Sequence, residues 1–199
     1  IFDAADSASV LAELAKEADK AKLKALQWRI SAWKSALVEP NAAVSLAGDD
    51  LGLAAARLYG DYEQALRAYQ AVDFDDLIRL PVRLFESEAD VLLRWQGKLQ
   101  YLLVDEYQDT NRSQYRLLRL LAGDRAAFTA VGDDDQAIYA WRGADVENLR
   151  VLQADFPQLK VIKLEQNYRS TNVILQAANA VIKNNLQRRG KQLWSENGQ

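Results

Sequence analysis

The chain has 199 residues, 49% of them hydrophobic, a formal charge of -3, and neither Cys nor His. It is long enough for one large or two small domains around a packed core, while the missing Cys and His exclude disulfides, thiol nucleophiles, Ser-His-Asp triads and Cys- or His-ligated metals within it. Carboxylates are left to carry any acid–base or metal chemistry, and the acidic balance gives no bulk electrostatic signature of a nucleic-acid binder, leaving that role to a local groove.

No apolar run reaches membrane-spanning length, and the opening IFDAADSASV lacks the regions of a signal peptide. The expectation is a cytoplasmic protein with no membrane partner. The chain begins without Met, at what reads as the end of a strand, so an interior piece of a longer protein is expected.

In chain order, Asp6 or Ser7 as N-cap, with Val10, Leu11, Leu14 and Ala18 on one face, predicts a helix from about Ala8 to Ala18. Leu23, Leu26, Ile30, Trp33 and Leu37 then recur three or four apart, an amphipathic stripe that Pro40 ends, with Trp28 off it. A further helix from about Asp50 to Ala71 presents Ala55, Leu58, Tyr62, Leu66 and Tyr69 together. Residues 1–71 thus read as a small all-α unit whose aromatics are core. At Val72 the texture changes. Asp73, Asp75 and Asp76 crowd ahead of an apolar run broken by Pro81 and read as charges favoured at a helix start.

From Tyr101 strands alternate with helices: YLLVD, then a helix near Ser113 to Ala122; AAFTAVG, then a helix near Val146 to Phe156; VIKL at residues 161–164, then a helix from Thr171 to Asn184. That order predicts an α/β unit over residues 72–199 with a parallel sheet and crossover connections. Ligands of such sheets bind at the carboxyl ends of the strands, where this chain places Asp105-Glu106, then Gly132-Asp133-Asp134-Asp135-Gln136, then Glu165-Gln166-Asn167-Tyr168-Arg169. If the three ends converge, they supply what a nucleoside triphosphate site requires: carboxylates for Mg²⁺, a group to orient water, and an arginine for phosphoryl charge. Tyr139 and Trp141, two apart and beside Arg142, suit a stacking platform for unpaired bases; the same spacing fits rings that plug the core beneath the next helix.

DEYQDTN, VGDDDQAIYAWRGA and LEQNYRS resemble motifs II, III and IV of superfamily 1A DNA helicases of the Rep/UvrD/PcrA group, the Rep branch above all. The resemblance implies an incomplete RecA-like P-loop NTPase domain with parallel strands and flanking helices over residues 72–199, the later part of motor domain 1A, and a small all-α inserted subdomain, 1B-like, over residues 1–71. It implies an ATP-dependent helicase that translocates 3′ to 5′ on single-stranded DNA, with ATP and Mg²⁺ as cofactors and single strands, duplex junctions and replication or repair proteins as partners. By the same resemblance Asp105 takes part in Mg²⁺ coordination, joined by Glu106, which orients the hydrolytic water. Gln136 senses the γ-phosphate, Arg169 contacts it, and Tyr168 stacks on adenine, while Tyr139, Trp141 and Arg142 contact DNA. Gln136 and Tyr139 are three residues apart, a short path for coupling.

The departure from the family is the absence of any G-x-x-x-x-G-K-[ST] phosphate-binding loop; Gly190-Lys191 reads as a coincidental pair. The isolated chain is therefore expected not to hydrolyse ATP at a useful rate, and an unpaired sheet edge would make its dimers artefacts. Two further readings stay open: a stand-alone module that binds single strands or a partner, and part of a helicase-nuclease.

Overall fold

The computed structural model describes residues 1–17, 19–140, 143–144, 147–185 and 190–197. Helix α1 spans Ala4–Ala15 and starts earlier than its apolar spacing suggests. Asp3 is the cap: its carboxylate accepts the Ala5 and Asp6 N–H groups at 2.7 and 2.9 Å, and Asp6 returns the bond to the Asp3 N–H at 3.1 Å, a reciprocal capping box. Asp6 is thus the partner of the cap, Ser7 is buried inside the helix, and Ala18 lies outside the described residues.

Helix α2, Lys20–Ser35, buries Leu23, Leu26, Ile30 and Trp33 of the predicted stripe and leaves Trp28 exposed, while Leu37, the last of the stripe, lies past the helix end at φ 60. Pro40 opens a helix as well as closing one: α3, Pro40–Leu46, carries it in the first turn, where its missing N–H costs no hydrogen bond. Helix α4, Asp50–Ala68, buries Ala55, Leu58, Tyr62 and Leu66, whereas Tyr69 caps its end and is exposed. These four helices share one apolar cluster in which the Trp33 and Tyr59 rings stack at 6.2 Å. The Phe2 N–H donates to the Val72 carbonyl at 2.8 Å, so the chain enters and leaves this unit side by side.

Beneath that cluster lies a charged one. The Lys34 ammonium, 0% exposed, meets Asp73 at 2.7 Å and Asp76 and Glu63 at 3.0 Å. Arg79, 1% exposed, pairs with Glu63 and Asp76 and donates to the Tyr59 hydroxyl, while the Tyr62 hydroxyl donates to Asp73. Asp73 and Asp76, expected as charges at a helix start, stand at the start of α5 and are also buried counter-ions. Burial of a cation requires them, because an unpaired ammonium in this core would lose its hydration without replacement.

Helix α5, Asp76–Ser87, runs through Pro81 rather than breaking there, with Val82 and Phe85 buried; α6, Ala89–Lys98, follows directly. Strands β1, Leu102–Val104, and β2, Phe128–Ala130, pair in parallel with Leu102 opposite Phe128 and Val104 opposite Ala130. Helix α7, Arg112–Ala122, connects them and packs on α5. Helices α8, Glu147–Asp155, and α9, Asn172–Ile182, complete the chain order. A second apolar cluster joins Tyr107, Tyr115, Leu118, Phe128 and Leu152, with the Phe128 and Phe156 rings edge-on at 4.8 Å.

The predicted third strand is absent. Residues 161–164 form no ladder; Ile162 and Leu164 are exposed, and a groove of about 1260 Å³ lies between this segment and β2. A strand exists only where a neighbour lies one ladder spacing away, and among the described residues the sheet pairs β1 with β2 alone. The segment's nearest regular pairing comes later, an isolated parallel bridge between Gln166 and Trp194. The fold is therefore mixed, mainly helical, around a two-stranded parallel sheet. No described helix is long and apolar enough to cross a membrane.

Candidate functional site at the ends of the parallel strands

Asp105 leaves β1 exposed, and its carboxylate accepts the Glu106 N–H at 2.9 Å. Glu106 sits at φ 48 and ψ 43, a left-handed conformation that a residue with a Cβ rarely adopts. This bend turns the chain from strand into the 3-10 turn Tyr107–Asp109 and leaves the two carboxylates exposed on its outer side. The strand pairing is carried past β2 by the Val131 N–H to Val104 (2.8 Å) and the Tyr107 N–H to Val131 (2.9 Å).

Gln108, 2% exposed, joins the two strand ends. Its amide nitrogen donates to Glu106 Oε2 at 2.8 Å, and its amide oxygen accepts the Asp133 N–H at 2.9 Å. Only this amide orientation satisfies both partners, since a carboxylate cannot donate and an N–H cannot accept. The approach is close enough that Gly132 is needed: a Cβ there would stand 2.9 Å from Gln108 Oε1 and 3.2 Å from Tyr107 Cβ.

Asp133 caps the 3-10 turn Asp134–Gln136. One carboxylate oxygen accepts the Asp135 N–H at 3.0 Å, the other accepts the Gln136 amide at 2.7 Å, and the Lys191 ammonium pairs with the first. Burial pushes the Asp133 carboxyl up, but the hydrogen bonds from Lys191 and Gln136 outweigh it and hold the group below the ordinary carboxylate range. Asp134 and Asp135 bring their carboxylates within 4.8 Å of it and of each other, with Lys191 3.9 Å from Asp135.

The sequence-predicted residues are thus joined in part. Glu106 and Gln136 belong to one bonded chain through Gln108 and Asp133, and Asp105 adjoins it. Tyr139 follows on the same connection, half-exposed; Trp141 and Arg142 lie outside the described residues. Tyr168 is 78% exposed with its hydroxyl donating to Gln166, and Arg169 is exposed, its N–H bound to Asn167. Among the described residues, no hydrogen bond or ion pair connects either of these to Asp105, Glu106 or Gln136. The expected convergence of three neighbouring strands is replaced by two paired strands and a separate loop, because residues 161–164 do not pair with β2.

Three residues of this site received no role in the sequence reading: Gln108, Asp133 and Lys191. Gln108 and Asp133 stand inside motifs but carry no sign of what they bridge, and Lys191, dismissed with Gly190, finds its partner far back in the chain.

The UvrD/REP helicase N-terminal domain family matches residues 1–157. The chain is 52% identical to the ATP-dependent DNA helicase Rep of Escherichia coli (strain K12), over 100% of this chain and 30% of that protein. It is 51% identical to the Rep of Salmonella typhimurium, with the same coverage, and 45% identical to the ATP-dependent DNA helicase PcrA of Bacillus subtilis, over 99% of this chain and 27% of that protein. The chain therefore spans under a third of the length of these relatives. A matched family covering most of the residues, the acidic end of β1 locked to the end of β2, and long relatives alike from end to end of the chain lead to one assignment: the chain belongs to the UvrD/REP helicase N-terminal domain family.

Proposed function

We propose that the chain is part of an ATP-dependent DNA helicase in which β1 and β2 belong to a RecA-like motor domain over residues 72–199 and residues 1–71 form a helical insert. The observation that carries this reading is the bonded chain Glu106–Gln108–Asp133–Gln136, which ties a water-orienting carboxylate to a phosphate-sensing amide. The adjacency of Phe2 and Val72 supports the insert, since a unit spliced into another must enter and leave at one place.

Asp105 suits a hard cation: its donors are oxygen, it is exposed, and only one of its oxygens has a bond among the described residues, the one from Glu106 N–H. It would contribute one ligand to Mg²⁺. Bound MgATP supplies the phosphoryl group whose transfer to water drives such motors. Gln108 holds one oxygen of Glu106, leaving the other to orient that water. Gln136 reads the γ-phosphate, Arg169 neutralises its charge and Tyr168 offers an exposed ring to adenine. Tyr139, Trp141 and Arg142 contact single-stranded DNA, and translocation runs 3′ to 5′.

Glu106→Gln in the complete protein keeps an acceptor for Gln108 and removes the base. Single-strand-stimulated phosphate release should fall by roughly 10²- to 10⁴-fold while nucleotide binding persists. Turnover at the wild-type rate would sink the assignment of Glu106.

A further inference from the structure

Lys191 belongs to a strap, residues 190–197, that runs along the loop carrying Tyr168 and Arg169. The strap is tied there repeatedly. Lys163 Nζ donates to the Gly190 carbonyl at 2.6 Å, the Gln192 N–H donates to Glu165 at 2.9 Å, and the Asn167 N–H donates to the Trp194 carbonyl at 2.7 Å. Asn197 reaches the Tyr168 carbonyl at 3.0 Å. At its other end the strap sends the Lys191 ammonium to Asp133.

Asp133 is held from two sides. Lys191 and the Asp135 N–H share one oxygen, which fixes the carboxylate plane; the other oxygen then receives Gln136 at 2.7 Å. Without the ammonium that oxygen keeps only the Asp135 N–H, so the carboxylate plane is held less firmly and the acceptor of the Gln136 amide with it. The strap also supplies a mechanical connection that the sheet does not provide, since among the described residues no hydrogen bond or ion pair joins Tyr168 or Arg169 directly to the strand ends.

We infer that Lys191 is a positioning residue for Gln136, and that the strap carries the state of the Tyr168–Arg169 loop to it through Asp133. This rests on the helicase reading of the site. The contacts form a contiguous physical network of the kind that transmits small displacements, and catalytic groups tolerate little misplacement.

The test uses the complete protein, with ATP and single-stranded DNA, and measures kcat and KM for ATP together with the urea unfolding midpoint. Lys191→Ala should lower kcat roughly ten- to a hundredfold, leave KM within about twofold and leave the midpoint near wild type; Lys191→Arg, which keeps the cation, should restore most of kcat. The double variant Asp133→Asn with Lys191→Ala should be no slower than Asp133→Asn alone, because Lys191 reaches Gln136 through Asp133. Wild-type kcat in Lys191→Ala, or losses that multiply in the double variant, would overturn the inference and leave the helicase reading standing. A wild-type protein without DNA-stimulated hydrolysis would overturn that reading and this inference with it.

Discussion

At the scale of single residues, Gln108 makes one object of two loops because an amide both donates and accepts. Glu in its place would have no N–H for Glu106 and would set two carboxylates together; Leu would serve neither neighbour. Gly132 is the condition for this arrangement, and Gly132→Ala tests it. The added Cβ meets Gln108 and Tyr107 closer than ordinary contact, so we expect destabilisation of about 1–3 kcal/mol, measured as a lower urea midpoint, with a fall in DNA-stimulated hydrolysis as Gln108 is displaced. An unchanged midpoint would show that the loop yields without strain. The place of Asp105, Glu106 and Gln136 just past the ends of the two strands was legible in the sequence, because strand ends and polar runs mark themselves locally. What Gln108 and Lys191 do was not, because each is defined by a partner that only the folded chain brings near.

Among elements, α2, α4 and α5 are fastened by charge as well as by apolar contact. Lys34 on α2 is surrounded by Glu63 of α4 and by Asp73 and Asp76 at the start of α5. Burial disfavours its charged form, yet Asp73 and then Asp76 more than compensate, so its pKa stands above the ordinary 10.5. A raised lysine pKa contributes stability that is complete below the ordinary value and lost as pH rises through the folded one. Burial raises the Tyr59 and Tyr62 hydroxyls as well, and their contributions are lost in the same alkaline direction. Thermal midpoints should therefore fall at alkaline pH. Lys34→Met should lower stability by about 3–5 kcal/mol at neutral pH, because it strands buried carboxylates, and should make the alkaline fall shallower. A Lys34→Met protein as stable as wild type would refute this account of the cluster.

The faces of α2 and α4 were readable because helical periodicity is local. Asp73 and Asp76 gave a correct helix start but no sign of their burial, since the cation they pair with sits on a helix earlier in the chain. Pro40 was read as an end although proline serves a beginning equally well, and α3 was missed for that reason. VIKL has the composition of a strand, but a ladder is a property of two segments, and composition describes one.

For the whole molecule, the decisive fact is a division of labour. Carboxylates, amide and ammonium converge at the strand ends, yet the chain contains no glycine-rich phosphate cradle with its lysine. The 199-residue chain alone should release phosphate from ATP no faster than buffer, with or without single-stranded DNA; sustained turnover by the purified chain would contradict that expectation. In the proposed function the exposed Asp105 and Glu106 repel a phosphate anion unless a cation stands between them.

The buried charges also bear on how this chain can be taken apart. Apolar packing suggests a seam near residue 71, and a graft cut there would carry Lys34 and Glu63 but leave behind Asp73, Asp76 and Arg79. The transplanted helices would arrive in a new host with a lysine in their interior and two of its counter-ions missing. The helical unit is therefore portable only with the next turn of helix attached, and the border that matters for inheritance or engineering lies beyond Arg79.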